Sequence, residues 1–148
     1  MPTKTKQAKK SRVVPAVNFN HALIHVKVLD PALHFYRDLL GFKEIDQIPG
    51  EYARLQSRNS QSTLALHLSR SPDVRPPGGV WLYLEVRKLD QLCRRLQAAG
   101  VRFSQKPELM PWGWRQAFLK DPDGHKLCLY WAGVKRLQAS IPPKKVRP

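Results

Sequence analysis

Trp81, Tyr83 and Glu85 alternate along one short apolar run, and Lys126, Cys128 and Tyr130 alternate along another. Residues two apart on a strand share a face, so each trio would present its side chains together. Trp112 and Trp114 stand on the loop before the run that leads to Asp121-Pro122-Asp123-Gly124. Aromatic walls with few polar groups suit a flat or apolar ligand, and each stacked pair adds about 0.5–1.5 kcal/mol beyond area burial. Trp and Tyr also fill cores, but most of the chain's Trp and Tyr fall at these positions, which favours binding as their shared role. Thiol chemistry has less support. Cys93 and Cys128 form no C-x-x-C pair and are too few for a disulfide scaffold. Cys93 lies on the apolar face of an expected helix and reads as a small buried hydrophobe. His25 and His34 read as part-exposed polar positions.

An internal repeat positions these residues. Shifting the chain by about 60 residues brings Val26 onto Val86, Leu29 onto Leu89, Asp30 onto Asp90 and Leu23 onto Tyr83. Each half contains an apolar strand, a helix entered at Leu-Asp, a glycine that stops it, and further strands. Residues 19–28 alternate well enough for a half-buried strand. Asp30 is expected to cap the next helix, with Pro31 in its first turn. Leu33, Tyr36 and Leu40 then recur at helical spacing up to Gly41. In the second half Leu89, Leu92, Cys93 and Leu96 mark one helical face opposite Arg94, Arg95 and Gln97, and Gly100 ends it. Strands are expected at 42–47, 51–58 and 62–68, then at 102–106, 114–120 and 125–131. Asp121-Pro122-Asp123-Gly124 forms the turn between the last two.

The expected fold is therefore α+β: tandem βαβββ modules whose curled mixed sheets form a small-molecule cleft. Module one spans 19–68, a Pro/Gly-rich linker 69–80, and module two 81–132. Two sheets set side by side would leave a trough between them as the ligand site.

The net charge of +15 looks like a nucleic-acid signal until it is located. Ten of those charges lie in residues 1–12 and 135–148, which contain no acid. The segments 1–18 and 133–148 are expected to be disordered basic tails, giving weak, nonspecific and salt-sensitive contact with polyanions. No zinc-finger or aromatic RNA-binding motif accompanies them. Neither an apolar stretch of membrane-spanning length nor a secretory signal is present, so a cytoplasmic protein without membrane contact is the expectation.

The segments His21-Ala-Leu-Ile-His-Val26 and Ala32-Leu-His-Phe-Tyr-Arg-Asp-Leu-Leu-Gly-Phe42 resemble the opening of vicinal oxygen chelate proteins. That superfamily includes glyoxalases, bleomycin resistance proteins and extradiol dioxygenases. Pro111-Trp-Gly113 and Phe118-Leu-Lys-Asp-Pro-Asp-Gly-His125 extend the likeness, closest to the bleomycin-resistance branch. It covers about residues 19–132. The resemblance implies a homodimer, with clefts shared or swapped between chains.

It also implies a divalent metal whose open positions polarise the vicinal oxygens of a substrate. Carried over by position, the first ligand is His21, the second falls on Trp81 and the third on Cys128. The fourth-strand position falls near Ala65, with His67 on the same face. Indole has no lone pair to give. No metal or other cofactor is therefore expected; a remodelled zinc site would draw on His21, His67 and Cys128. A trough floor containing positions 21, 81 and 128 would also contain Leu23, Tyr83 and Tyr130. The ligand-binding set is then His21, Leu23, His67, Trp81, Tyr83, Trp112, Trp114, Cys128 and Tyr130.

The function expected from this set is metal-free binding of a small aromatic ligand, neutral or anionic. The basic body argues against a cationic drug such as bleomycin. The alternatives are a metal-dependent lyase, isomerase or dioxygenase of the superfamily, and an interaction module whose basic tails contact polyanions.

Overall fold

In a computed structural model of the chain, described over Thr3, residues 14–71 and residues 79–138, both halves fold as βαβββ modules. Module one runs β1 (His21–Val26), α1 (Leu29–Leu33), β2 (Lys43–Ile48), β3 (Tyr52–Gln56) and β4 (Thr63–Leu68). Module two repeats it as β5 (Trp81–Glu85), α2 (Leu89–Ala98), β6 (Phe103–Leu109), β7 (Arg115–Lys120) and β8 (Lys126–Trp131). Each module makes its own four-stranded mixed sheet, in the orders β1-β4-β3-β2 and β5-β8-β7-β6. β1 pairs parallel with β4, and β5 parallel with β8; the other pairs are antiparallel. The linker residues 72–78 and most of the expected tails lie outside the described residues.

The first helix differs in detail from expectation. Asp30 is not its cap: Val28 occupies that position in extended conformation, with no side-chain hydrogen bond, and Asp30 sits inside the first turn. There a carboxylate still favours the positive end of the helix. Beyond α1 the chain widens into a π-helical segment, His34–Leu39, and Leu40 N–H bonds the Phe35 carbonyl. Gly41, at φ +80°, lets Phe42 N–H close the end onto the Tyr36 carbonyl. The segment expected to begin the C-terminal tail is also structured, because Gly133–Leu137 form a 3-10 turn.

One hydrophobic core joins the modules. Val26, Leu29, Tyr36, Leu55 and Leu66 belong to the same buried cluster as Leu89, Leu96, Leu119 and Leu127. The alternation of each strand then decides what faces away. In β1, Ala22, Ile24 and Val26 turn inward, leaving His21, Leu23 and His25 exposed. In β5, Leu82 and Leu84 turn inward, leaving Trp81, Tyr83 and Glu85 exposed.

Candidate functional site

Pairing register places the second sheet's outward side chains in rows. Tyr83 lies beside Cys128, Glu85 beside Tyr130, and Tyr130 beside Gln116. Trp114, just before β7, stacks on Tyr130 with centroids 5.0 Å apart and planes 17° from parallel. Tyr83 leans on Tyr130 from the other side at 5.8 Å and 59°. Next to this three-ring platform opens a cavity of about 630 Å³, lined also by Trp112, Gly113, Gln116, Lys135 and Arg136.

Two glycines shape its walls. Gly113, at φ +89°, closes a turn in which its N–H bonds the Met110 carbonyl and Met110 N–H bonds the Trp114 carbonyl. The turn presents Trp112 and Trp114 on the same cavity. Gly133, at φ +56°, reverses the chain directly over the Trp131 ring, where an added Cβ would lie 3.2 Å from the indole. The 3-10 turn that follows brings Lys135 and Arg136 to the rim.

This cavity is built by module two and the segment that follows it, with no lining residue from the first sheet. Of the nine expected ligand-binding residues, Tyr83, Trp112, Trp114 and Tyr130 line it. Cys128 lies beneath the platform, fully buried. Trp81 stands aside, edge-on to Phe118 and under the Lys126 ammonium at 5.1 Å. His21, Leu23 and His67 belong to the first sheet. Gln116, Lys135 and Arg136 were missed. Gln116 could have been found from its alternation with Trp114 and Phe118, whereas nothing local distinguishes Lys135 and Arg136 from the remaining tail charges.

The titratable groups of the platform stay protonated. Burial pushes the Cys128 thiol up to about 12, the Tyr83 hydroxyl offsetting only part of this. Burial also raises Tyr83 and Tyr130, the latter helped by the charge of Glu85. Arg136 reaches toward Glu85 at 3.5 Å. The platform thus offers neutral rings and neutral hydroxyls. Gln116, 3% exposed, is the exception in kind: its Oε1 is buried without a hydrogen-bond partner. An unmet buried acceptor costs about 1–3 kcal/mol.

The donor set fits a family-type metal poorly. Trp81 carries no lone pair for a cation. Cys128 is fully buried on the second sheet, whereas His21 and His67 stand on the first. His21 shares a 2.7 Å hydrogen bond with Thr63 within the first sheet, and His67 packs edge-on against His25 with its Nδ1 buried and unpartnered. Among the described residues, the remodelled set of His21, His67 and Cys128 is not brought together.

Among the described residues, the one cluster of three metal-type ligand atoms is Asp121, Asp123 and His125, within 4.8 Å of one another. Both oxygens of Asp121 and one of Asp123 are already engaged. Asp121 Oδ1 accepts the backbone N–H groups of Asp123 and His125; Oδ2 accepts the Tyr36 hydroxyl at 2.6 Å and pairs with His125 Nδ1 at 2.7 Å. Asp123 Oδ1 accepts Lys27 N–H at 2.8 Å. This turn clasps the two modules together.

Among the described residues no helix is long and apolar enough to cross a membrane. No curated protein matches the chain. Solved structures do. A glyoxalase/bleomycin resistance protein/dioxygenase superfamily member from Sphaerobacter thermophilus is 32% identical, covering 79% of this chain and 98% of its own, at a TM-score of 0.65. A lactoylglutathione lyase from Agrobacterium tumefaciens is 18% identical over 85% of this chain and 100% of its own, with a TM-score of 0.63. TioX from Micromonospora is 20% identical over 78% and 98%, with a TM-score of 0.64. The latter two likenesses speak to the fold alone. The family model of the Glyoxalase/Bleomycin resistance protein/Dioxygenase superfamily matches residues 18–129. With the tandem βαβββ topology and the 32% identical relative, that match establishes that the chain belongs to the glyoxalase/bleomycin resistance/dioxygenase superfamily.

Proposed function

We propose that this protein binds a small, flat aromatic ligand over its second sheet and does so without the superfamily's metal. The observation that carries the reading is the Trp114–Tyr130–Tyr83 platform beside a cavity of about 630 Å³. A neutral ring surface of this kind stabilises a planar guest by stacking and by removing apolar area from water. The indole at position 81 and the buried thiol at position 128 support metal-free binding, since both stand where the superfamily resemblance calls for coordinating groups. The cationic rim of Lys135 and Arg136 favours a neutral or anionic guest over a cationic one.

A second copy of the chain belongs to this reading. β1 and β5 are edge strands, each with a single neighbour in its sheet. Their outward faces expose Leu23 (47%), Trp81 (42%) and Tyr83 (49%). Exposed apolar edges of this kind call for cover, and pairing of module one with a partner's module two would supply it.

Titration with 2-naphthoate and with cyclohexanecarboxylate, followed by tryptophan fluorescence and calorimetry, tests the binding claim. The aromatic acid should bind measurably more tightly, and Trp114→Ala should remove that preference. Equal affinities would overturn it. Dialysis against zinc followed by elemental analysis tests the other half: a stoichiometric ion lost on His21→Ala would refute metal-free binding.

A further inference from the structure

Resting on that aromatic-ligand reading, Gln116 carries it further. The residue lies on β7 opposite Tyr130, lines the cavity and is 3% exposed. Its Oε1 is buried with no donor in reach, and among the described residues no hydrogen bond holds either end of the amide. Buried polar groups are nearly always paired, so an exception at the base of a cavity asks for a partner from outside the chain. A carboxamide holds an acceptor and two donors in one plane. Unheld, it can turn about its last torsion and offer both to the cavity. Its complement is an N–H beside a carbonyl or ring nitrogen, the pairing by which Gln contacts adenine edges.

The rim supplies a second element. Gly113 leaves room for the Lys135 side chain against the Trp112–Trp114 turn; an added Cβ would lie 3.2 Å from its Nζ. Arg136 leans toward Glu85, whereas Lys135 makes no ion pair among the described residues. The cavity therefore combines a ring platform, an unsatisfied amide at its base and an unpaired ammonium at its mouth.

We propose that Gln116 reads the N–H/C=O edge of a planar heteroaromatic ring whose acidic substituent meets Lys135, so that the ligand class is a planar heteroaromatic acid with a lactam-type edge. A hydrocarbon ring would stack equally well but leave the amide unmet, which is how sites built for a hydrogen bond reject analogues lacking it.

Three probes separate the claims: 2-quinolone-4-carboxylate, its N-methyl derivative, and 2-quinolone without the acid. On the wild-type protein the N–H acid should bind about tenfold more tightly than the N-methyl acid, roughly one net hydrogen bond. Gln116→Met, similar in size but without the amide, should abolish that ratio while keeping the affinity for 2-naphthoate, which has no such edge and so reports an intact pocket. Lys135→Gln should weaken the acid several-fold, less so at high salt, and leave 2-quinolone unchanged. Equal binding of the N–H and N-methyl acids to the wild type overturns the assignment of Gln116 while leaving aromatic binding standing. An unchanged acid affinity in Lys135→Gln overturns the anionic part. Failure of all three probes to bind overturns the aromatic reading and this inference with it.

Discussion

The Tyr36 hydroxyl donates a 2.6 Å hydrogen bond to Oδ2 of Asp121, and both side chains are buried. The pair joins the helix of module one to the β7–β8 turn of module two. Asp121 also accepts from His125 and from two backbone N–H groups, so a single carboxylate orders the turn and ties it to the neighbouring module.

Removing the donor leaves Asp121 buried with one acceptor unmet. Tyr36→Phe should lower the free energy of unfolding by about 1–3 kcal/mol while hardly changing packed volume. In urea titrations the midpoint should fall with the slope unchanged. The double variant Tyr36→Phe/Asp121→Asn should cost less than the sum of the single changes, because the two groups act on one bond. Strict additivity would show that the contact contributes nothing.

His125 gives the same clasp a pH signature. Its hydrogen bond to Asp121 raises the imidazole above its ordinary value, although burial opposes this. A raised folded-state value means stability fully present below about pH 6.5 and lost as pH rises through the folded value. Burial alone would raise Asp121, but its hydrogen bonds from His125 and Tyr36 outweigh that and hold it low. Its contribution is present above about pH 4 and lost as pH falls through the depressed value. Melting temperatures measured from pH 5 to 9 should decline on the alkaline side in the wild type, and His125→Ala should flatten that decline.

Period-2 alternation and the repeat were enough to read both modules, because the core demands them. Ala22, Ile24 and Val26 must turn inward, which leaves His21 and Leu23 outward, and the same parity sets Trp81, Tyr83 and Tyr130. Asp121-Pro122-Asp123-Gly124 reads correctly because Gly124 supplies the left-handed residue, at φ +88°. What could not be read is how the sheet faces meet, since that depends on packing between segments distant along the chain. Trp81 and Cys128 do share a face, yet one is half exposed and the other fully buried in a cluster with Tyr130, Trp114 and Phe118. Lys135 looked like one more tail charge because only the reversal at Gly133 brings it back over the cavity.

Gly113→Ala tests the rim. The backbone there is left-handed at φ +89°, which costs an alanine about 1–2 kcal/mol. The new methyl would also press on the Lys135 stem at 3.2–3.3 Å. Stability should drop by roughly that amount in thermal unfolding. The affinity for 2-naphthoate should fall as well, since Trp112 and Trp114 depend on the turn. Gly50→Ala, left-handed at φ +75° but with no neighbour within 4 Å, should lose stability without losing affinity.

The edge strands yield the last prediction. Leu23 is the apolar member of the exposed β1 row, next to His21 and His25, and it makes no part of the core that β1 builds on its other side. A glutamate there is harmless in a lone chain, since the side chain would remain in water. In a pair of chains that buries this face, the same carboxylate loses its hydration without gaining a partner, and by symmetry it does so twice. Leu23→Glu should therefore leave the circular dichroism spectrum and melting cooperativity unchanged at low concentration. Dimer dissociation, followed by light scattering across a dilution series, should become at least about tenfold easier. A wild-type protein that is monomeric throughout the series would refute the pairing, and a variant that dimerises as well as the wild type would place the pairing surface elsewhere.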